Sequence, residues 1–150
     1  MPATRFDTAG WALRLLVAAG LVVDAVIHLR LAHGYELAQP AGIGQGNLFR
    51  IEAALALLTA AYVLLVGSRS AFALAAAAGL GGLVLVLLYR YVDVPAFGPI
   101  PAMYEPVWFF SKTLSAVAEA AAGVLAAVGA WHVYRRARLR SAAEIHQFRQ

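Results

Sequence analysis

The stretch Trp11–Leu31, WALRLLVAAGLVVDAVIHLRL, is long enough to cross a bilayer as a helix, yet it carries Asp24 and His28 in its second half. A helix of about 20 apolar residues spans the hydrocarbon layer. A charged side chain near the centre of that layer costs about 2.5–3.5 kcal/mol on insertion scales. Residues that survive there face a bundle interior or a wet cavity, and they mark candidate functional positions. His28 follows Asp24 by four residues, which places both on one helical face.

The pattern repeats along the 150 residues. Three more apolar stretches of spanning length run near Leu48–Val66, Ala71–Tyr91 and Trp108–Tyr134, and the last holds a second deep carboxylate, Glu119. The chain is 62% hydrophobic and 13% charged, well beyond the roughly 45–50% apolar content of a soluble domain. The expected fold is therefore all-α: one integral membrane domain of four transmembrane helices with antiparallel neighbours. Spans are placed near residues 11–31, 48–66, 71–91 and 108–134, with a basic tail over 135–150. Arg5 and Arg14 before Leu15–Val23 also allow a signal-peptide reading of the first span, against which Asp24, His28 and Arg30 stand where a small-residue cleavage site should follow.

Charge sets the orientation. With both termini cytoplasmic, the inner side carries Arg5, Arg14, Arg69, Arg135, Arg136, Arg138, Arg140 and Arg149, against Arg30, Arg50, Arg90 and Lys112 outside. A Lys/Arg excess marks the cytoplasmic face, so the expectation is a multi-pass protein of the bacterial cytoplasmic membrane with both termini inside. The basic tail lacks the aromatic platforms and motifs of nucleic-acid binders, so its partner is anionic lipid and nucleic acid is excluded. Trp11, Trp131 and Tyr134 at one set of ends, and Tyr89, Tyr91, Tyr104 and Trp108 at the other, read as interfacial belts.

The connections differ. Gly67-Ser68-Arg69-Ser70 is a tight turn between the second and third spans. The glycine-rich segment His33–Asn47 includes Gly42-Ile43-Gly44-Gln45-Gly46, a flexible turn that has neither the preceding strand nor the Lys-Ser/Thr of a phosphate loop. Asn47 is the expected N-cap of the second helix. Pro95, Pro99, Pro101 and Pro106 stiffen the last connection, whose Phe97, Met103 and Tyr104 can fold down as a lid. Glu105-Pro106 is the expected start of the fourth helix, with proline in its first turn.

Depth orders the polar residues. At 1.5 Å per residue, His28, Glu52 and Lys112 lie roughly 6 Å inside the outer ends, Asp24 roughly 10–12 Å, and Glu119 roughly 16 Å. The inner half is almost free of ionisable groups apart from Arg14 and His132. This asymmetry implies a polar pocket at the outer end, sealed below by apolar packing. Ser111, Ser115 and Glu119 share a face continued by Ala122, Ala126 and Gly129; Glu52, Ala56 and Thr59 form a second stripe; Gly79, Gly81 and Gly82 favour close helix approach in the third span. The candidate ligand-binding set is Asp24, His28, Glu52, Tyr89, Lys112, Ser115 and Glu119. Glu52 also suits an ion pair, Lys112 can snorkel outward, and Glu119 can serve as helix glue.

The chain contains no cysteine, which excludes disulfides, thiol relays and iron–sulfur clusters. No nucleophile triad, zinc-protease motif or phosphate loop is present. His28 and His132 sit at opposite faces and cannot share a haem. Asp24, His28, Glu52 and Glu119 suit a zinc, manganese or iron ion by donor type, but with a single histidine no metal is assigned. The same groups fit proton uptake, or hydrogen bonding to a quinone or lipid headgroup.

Leu48-Phe49-Arg50-Ile51-Glu52, Gly67-Ser68-Arg69 and Glu119 among alanines resemble the small bacterial DoxX-like four-helix membrane proteins. Ile27-His28-Leu29, then Tyr35, Gly42-Ile43-Gly44 and Leu48-Phe49, are similar to a related uncharacterised set. The resemblance covers most of the chain and makes Glu52 and Glu119 family-like positions. It implies a place in quinone-linked sulfur oxidation or an accessory role in a membrane redox complex, with any thiol chemistry left to a partner protein. The expected function is an outward pocket binding a small ligand, such as a quinone, lipid or ion, in an accessory subunit of a redox or envelope system. A quinone-linked oxidoreductase and an oligomeric solute or proton-coupled transporter stay open as alternatives. The apolar inner half argues against a pore within one protomer, so transport would need a homo-oligomer.

Overall fold

A computed structural model describes residues 7–35 and 43–147, with side chains described up to residue 143. The helices are α1 (Thr8–Gly34), α2 (Gln45–Leu65), α3 (Arg69–Tyr91) and α4 (Phe110–Gln147). No strand occurs among the described residues, only two isolated bridges. The glycine turn expected around Gly42 falls partly outside the described residues, as do Arg5, Glu36 and Arg149.

All four helices are long and apolar enough to cross a membrane. At 1.5 Å per residue, the 21 residues of α2 give roughly 32 Å and the 27 of α1 roughly 40 Å. Leu15, Leu16, Val23, Leu55, Leu58, Val84, Val117 and Val124 all lie exposed on the outer faces. The buried side is mostly small: Ala53, Ala56, Ala60, Ala71, Ala75, Ala122 and Ala126, around Val17, Leu21, Val63 and Phe72. Large apolar residues outside and small ones inside is the arrangement of helices that pack closely within lipid.

The helices form an up-and-down ring. α1 packs on α2 and α4, and α3 packs on α4; α2 and α3, though joined by the shortest turn, are the neighbours in least contact. That turn pivots on Gly67, whose φ of 57° suits glycine and whose α-carbon lies under the Arg14 guanidinium. Ser68 then caps α3 by accepting from the Ala71 amide at 3.1 Å. At the same end Asp7 caps α1 through the Gly10 amide at 3.0 Å, and reaches His132 and Arg136 of α4. Arg14 lies over Trp11, and Arg69 and Arg138 over Tyr134. This turn end is closed by packing and by these polar contacts.

The opposite, loop end carries residues 92–109. Val94 pairs with Met103, and Phe97 with Ile100, around Gly98 at φ 57°. The Ile43 amide donates to the Pro99 carbonyl at 3.0 Å, which ties this loop to the approach to α2.

Three boundaries differ from the sequence reading. α2 begins at Gln45 behind Gly44, with no side-chain cap; Asn47 lies inside the helix and accepts from Arg50 at 2.9 Å. α4 begins at Phe110 rather than at Glu105-Pro106; the stretch before it belongs to the loop, where the Glu105 amide donates to the Tyr89 carbonyl at 2.9 Å. The basic segment after Tyr134 remains helical to Gln147. Hydropathy ends at the arginines, but Arg, Ala and Leu are all strong helix formers and no Gly or Pro intervenes.

Candidate functional site

Asp24 and His28 follow from the spacing within α1. Both are buried, at 2% and 6% exposure. The His28 Nδ1 lies 3.1 Å from Asp24 Oδ1 and 3.2 Å from the Asp24 carbonyl oxygen. Both neighbours are acceptors, so Nδ1 carries the proton and donates it to Asp24. From α4 the Ser115 hydroxyl donates to the same Oδ1 at 2.6 Å. Asp24 therefore orients two side chains at once.

Glu119 stands one turn beyond Ser115 and is 1% exposed. Among the described residues neither of its carboxylate oxygens has a hydrogen-bond partner. Buried polar groups are nearly always bonded, so two orphan oxygens on one carboxyl call for a physical reason. Gly82 on α3 supplies the room: a β-carbon there would stand 2.6 Å from Glu119 Oε1. Gly79 has a different task, since its β-carbon would strike the backbone of Glu119 and Gly123, and its absence lets α3 and α4 touch. Gly81 faces open space, so of the three glycines named from the sequence only Gly79 brings helix backbones together.

Above this floor lies a cavity of about 360 Å³. His28, Glu52, Tyr89, Lys112, Ser115 and Glu119 all line it, whereas Asp24 stands behind them. The structure thus gathers six of the seven candidate residues around one space, with the seventh holding two of the six. Ser111 is only half-buried and does not line the cavity. The walls are apolar, with Leu48, Phe49, Leu85 and Val86 prominent. Ile51 and Leu85 line the cavity and are also about half exposed. They belong to α2 and α3, the neighbouring helices in least contact.

The roof is built by residues that the sequence did not single out as site residues. Glu105 accepts from the Tyr35 hydroxyl at 2.9 Å, and its carbonyl accepts from Lys112. Burial and the Glu105 carboxylate push the Tyr35 hydroxyl up to about 12. Phe49 makes tilted and edge contacts with His28 and Tyr35, at 5.6 and 5.2 Å between ring centroids. Ile100, Met103 and Tyr104 come down from the loop to complete the cover. The prolines hinted at a lid, but nothing in sequence spacing links Tyr35 to Glu105, 70 residues apart.

The arrangement offers a hydrogen-bonding floor of imidazole, hydroxyl and carboxyl groups under an apolar, aromatic chamber. It can hold the polar head of a mostly apolar molecule, exchange a proton with it, or hold a cation. In comparisons with family models, curated proteins and solved structures, nothing matches this chain.

Proposed function

We propose that the chain is a multi-pass membrane protein whose loop-end cavity binds a small amphipathic molecule, foremost of the quinone class. The Glu119 carboxyl would donate to a quinone carbonyl oxygen when protonated, or accept from a quinol hydroxyl when ionised, and the ring and tail would lie against Phe49, Leu85 and Val86. The observation that carries this reading is the orphan Glu119 carboxyl under an apolar cavity of about 360 Å³. Ligand sites are typically apolar chambers with a few convergent polar groups. The loose α2–α3 packing beside the cavity supports it too, because it would offer a lipid-soluble molecule a way in from the bilayer.

The test is a titration of the detergent-purified protein with a short-chain ubiquinone. It is read by quenching of Trp108, which neighbours Lys112 at the cavity roof, in a background where Trp11 and Trp131 are phenylalanine. Saturable quenching that weakens at least tenfold in Glu119→Gln is expected. Quenching that is linear in quinone, or indifferent to Glu119 and Phe49, would refute the reading.

The setting belongs to the same proposal. The basic asymmetry favours both termini in the bacterial cytoplasm, with the cavity then in the outer half of the inner membrane. The DoxX-like resemblance suggests an accessory subunit that presents its ligand to a redox partner protein. A single cysteine at Ser68 or Ser141 should be shielded from an impermeant thiol reagent in intact cells, and one at Gln39 should label. The opposite pattern would turn the cavity toward the cytoplasm.

A further inference from the structure

The floor of the cavity holds two carboxylates and one imidazole in unusual proximity. One donor atom from each of Asp24, His28 and Glu119 lies within 4.8 Å of the others, and all three residues are buried. Among the described residues no lysine or arginine forms an ion pair with Asp24 or Glu119. Lys112, the nearest basic group on α4, is turned away to the Glu105 carbonyl. Asp24 accepts from His28 and Ser115 and Glu119 from no group, and two carboxylates ionised together in a low-dielectric interior would repel each other and lose their hydration, which is costly. A cation seated between them would relieve both penalties.

We propose that Asp24, His28 and Glu119 form a binding site for one divalent first-row transition ion of the zinc, manganese or iron group. Imidazole and carboxylate are suitable donors for these ions. Around a tetrahedral ion with bonds of about 2.1 Å, donors sit about 3.3–3.5 Å apart. The His28 Nδ1–Asp24 Oδ1 separation of 3.1 Å is already near that value, so an ion seated there would take the place of the Nδ1 proton, which leaves to solvent on binding, and a Glu119 oxygen lies within 4.8 Å of both. The two unpartnered Glu119 oxygens, on a residue 1% exposed, with one of them within 4.8 Å of the other donors, are the second, independent sign of a ligand. Gly82 leaves that carboxyl space to move. His28, Ser115 and Glu119 border the cavity while Asp24 stands behind, so a coordination position directed into the cavity stays open, as catalytic rather than structural metal sites require. The site does not rest on the organic ligand proposed above, and its probe is the metal alone.

The experiment uses untagged full-length protein in mild detergent, stripped with a chelator and titrated with Co²⁺, then with Zn²⁺. We expect one Co²⁺ per chain, with the visible d–d bands of a low-coordinate site, displaced stoichiometrically by Zn²⁺. Zn²⁺ affinity should fall at least tenfold in Glu119→Gln and in His28→Gln, and should survive in His132→Gln. Glu119→Asp keeps a carboxylate and should retain part of the affinity. Wild-type protein that gives no d–d bands and takes up no Zn²⁺ overturns the site without recourse to any variant. Binding unchanged by both Glu119→Gln and His28→Gln overturns it as well. Loss confined to His132→Gln would place the ion beside Asp7 at the other end, and that too would overturn the site.

Discussion

The two ends of this bundle are made from the same helices but obey different packing rules. At the turn end, Val17, Leu21, Val63 and Phe72 interlock with alanines, and each is at most 1% exposed. At the loop end, Tyr89, Phe49 and Lys112 hold the helices apart around a cavity of about 360 Å³. The turn end meets the ordinary demand that interiors be filled. The loop end departs from it, and that is where buried carboxylates collect. Local departures from good packing and full hydrogen bonding tend to mark the positions that serve a ligand.

The strongest test of this contrast pairs two phenylalanines. Phe72 lies against Gly129, where even a β-carbon would come within 2.4 Å of its ring. Phe72→Ala should cost about 3–5 kcal/mol, as for a large aromatic removed from a filled core. Phe49→Ala enlarges a space that already exists and should cost far less, while weakening short-chain ubiquinone binding. Denaturant unfolding in detergent measures both. Equal losses would mean that the loop end is filled core after all.

A finer test pairs two glycines three residues apart on α3. At Gly79 a new methyl group meets the Glu119 carbonyl at 2.7 Å and the Gly123 amide nitrogen at 2.8 Å. Backbone cannot step aside, so Gly79→Ala should destabilise by about 1–3 kcal/mol. At Gly82 the methyl group meets only the end of the Glu119 side chain, which can swing into the cavity. Gly82→Ala should therefore leave the melting temperature nearly unchanged and shift ligand affinity. A large stability loss at Gly82 would show that the carboxyl is wedged rather than free to move.

The carboxyl itself comes next. Glu119→Gln replaces a buried carboxyl, costly to ionise and without a hydrogen-bond partner among the described residues, by a neutral amide, so stability should hold or rise. Quinone binding should fall at least tenfold, about 1.4 kcal/mol. Asp24→Asn should lose less in combination with Glu119→Gln than the two single losses add up to, because the residues share one cluster. Marked destabilisation by Glu119→Gln with intact binding would make Glu119 helix glue.

Much of this contrast is legible in the residues alone. The spans follow from hydropathy, and the depth of Asp24, His28 and Glu119 follows from counting turns from one end. Their convergence follows because ionisable groups in a membrane helix turn inward. What cannot be read is whatever depends on backbone contacts across long separations. The Glu105 amide donates to the Tyr89 carbonyl across 16 residues, and α4 starts only at Phe110. The Tyr35–Glu105 bond joins the two ends of the cavity roof. The glycine cluster is visible as composition, but only geometry tells Gly79, which seats a backbone, from Gly82, which houses a carboxyl, and from Gly81, which does neither. The basic stretch reads as a tail because charge ends the hydropathy signal before helix propensity fails.

The smallest expected effect lies at the turn end and depends on pH. Slight burial raises the Asp7 carboxyl, but the Gly10 amide, the His132 ring and the Arg136 guanidinium outweigh it and hold the group below its usual 3.8. A carboxyl held low in the folded state contributes stability above the unfolded value, and loses it as pH falls through the folded one. The loss should therefore begin below about pH 4. Asp7→Ala removes both the cap and the charge and should cost about 1 kcal/mol near neutral pH. Asp7→Asn separates the two roles, since asparagine caps as well as aspartate but does not titrate in this range. It should keep most of the neutral-pH stability and flatten the acid limb of the melting curve. Should Asp7→Asn destabilise as much as Asp7→Ala at neutral pH, then it is the contact with His132 and Arg136, not the cap, that closes this end.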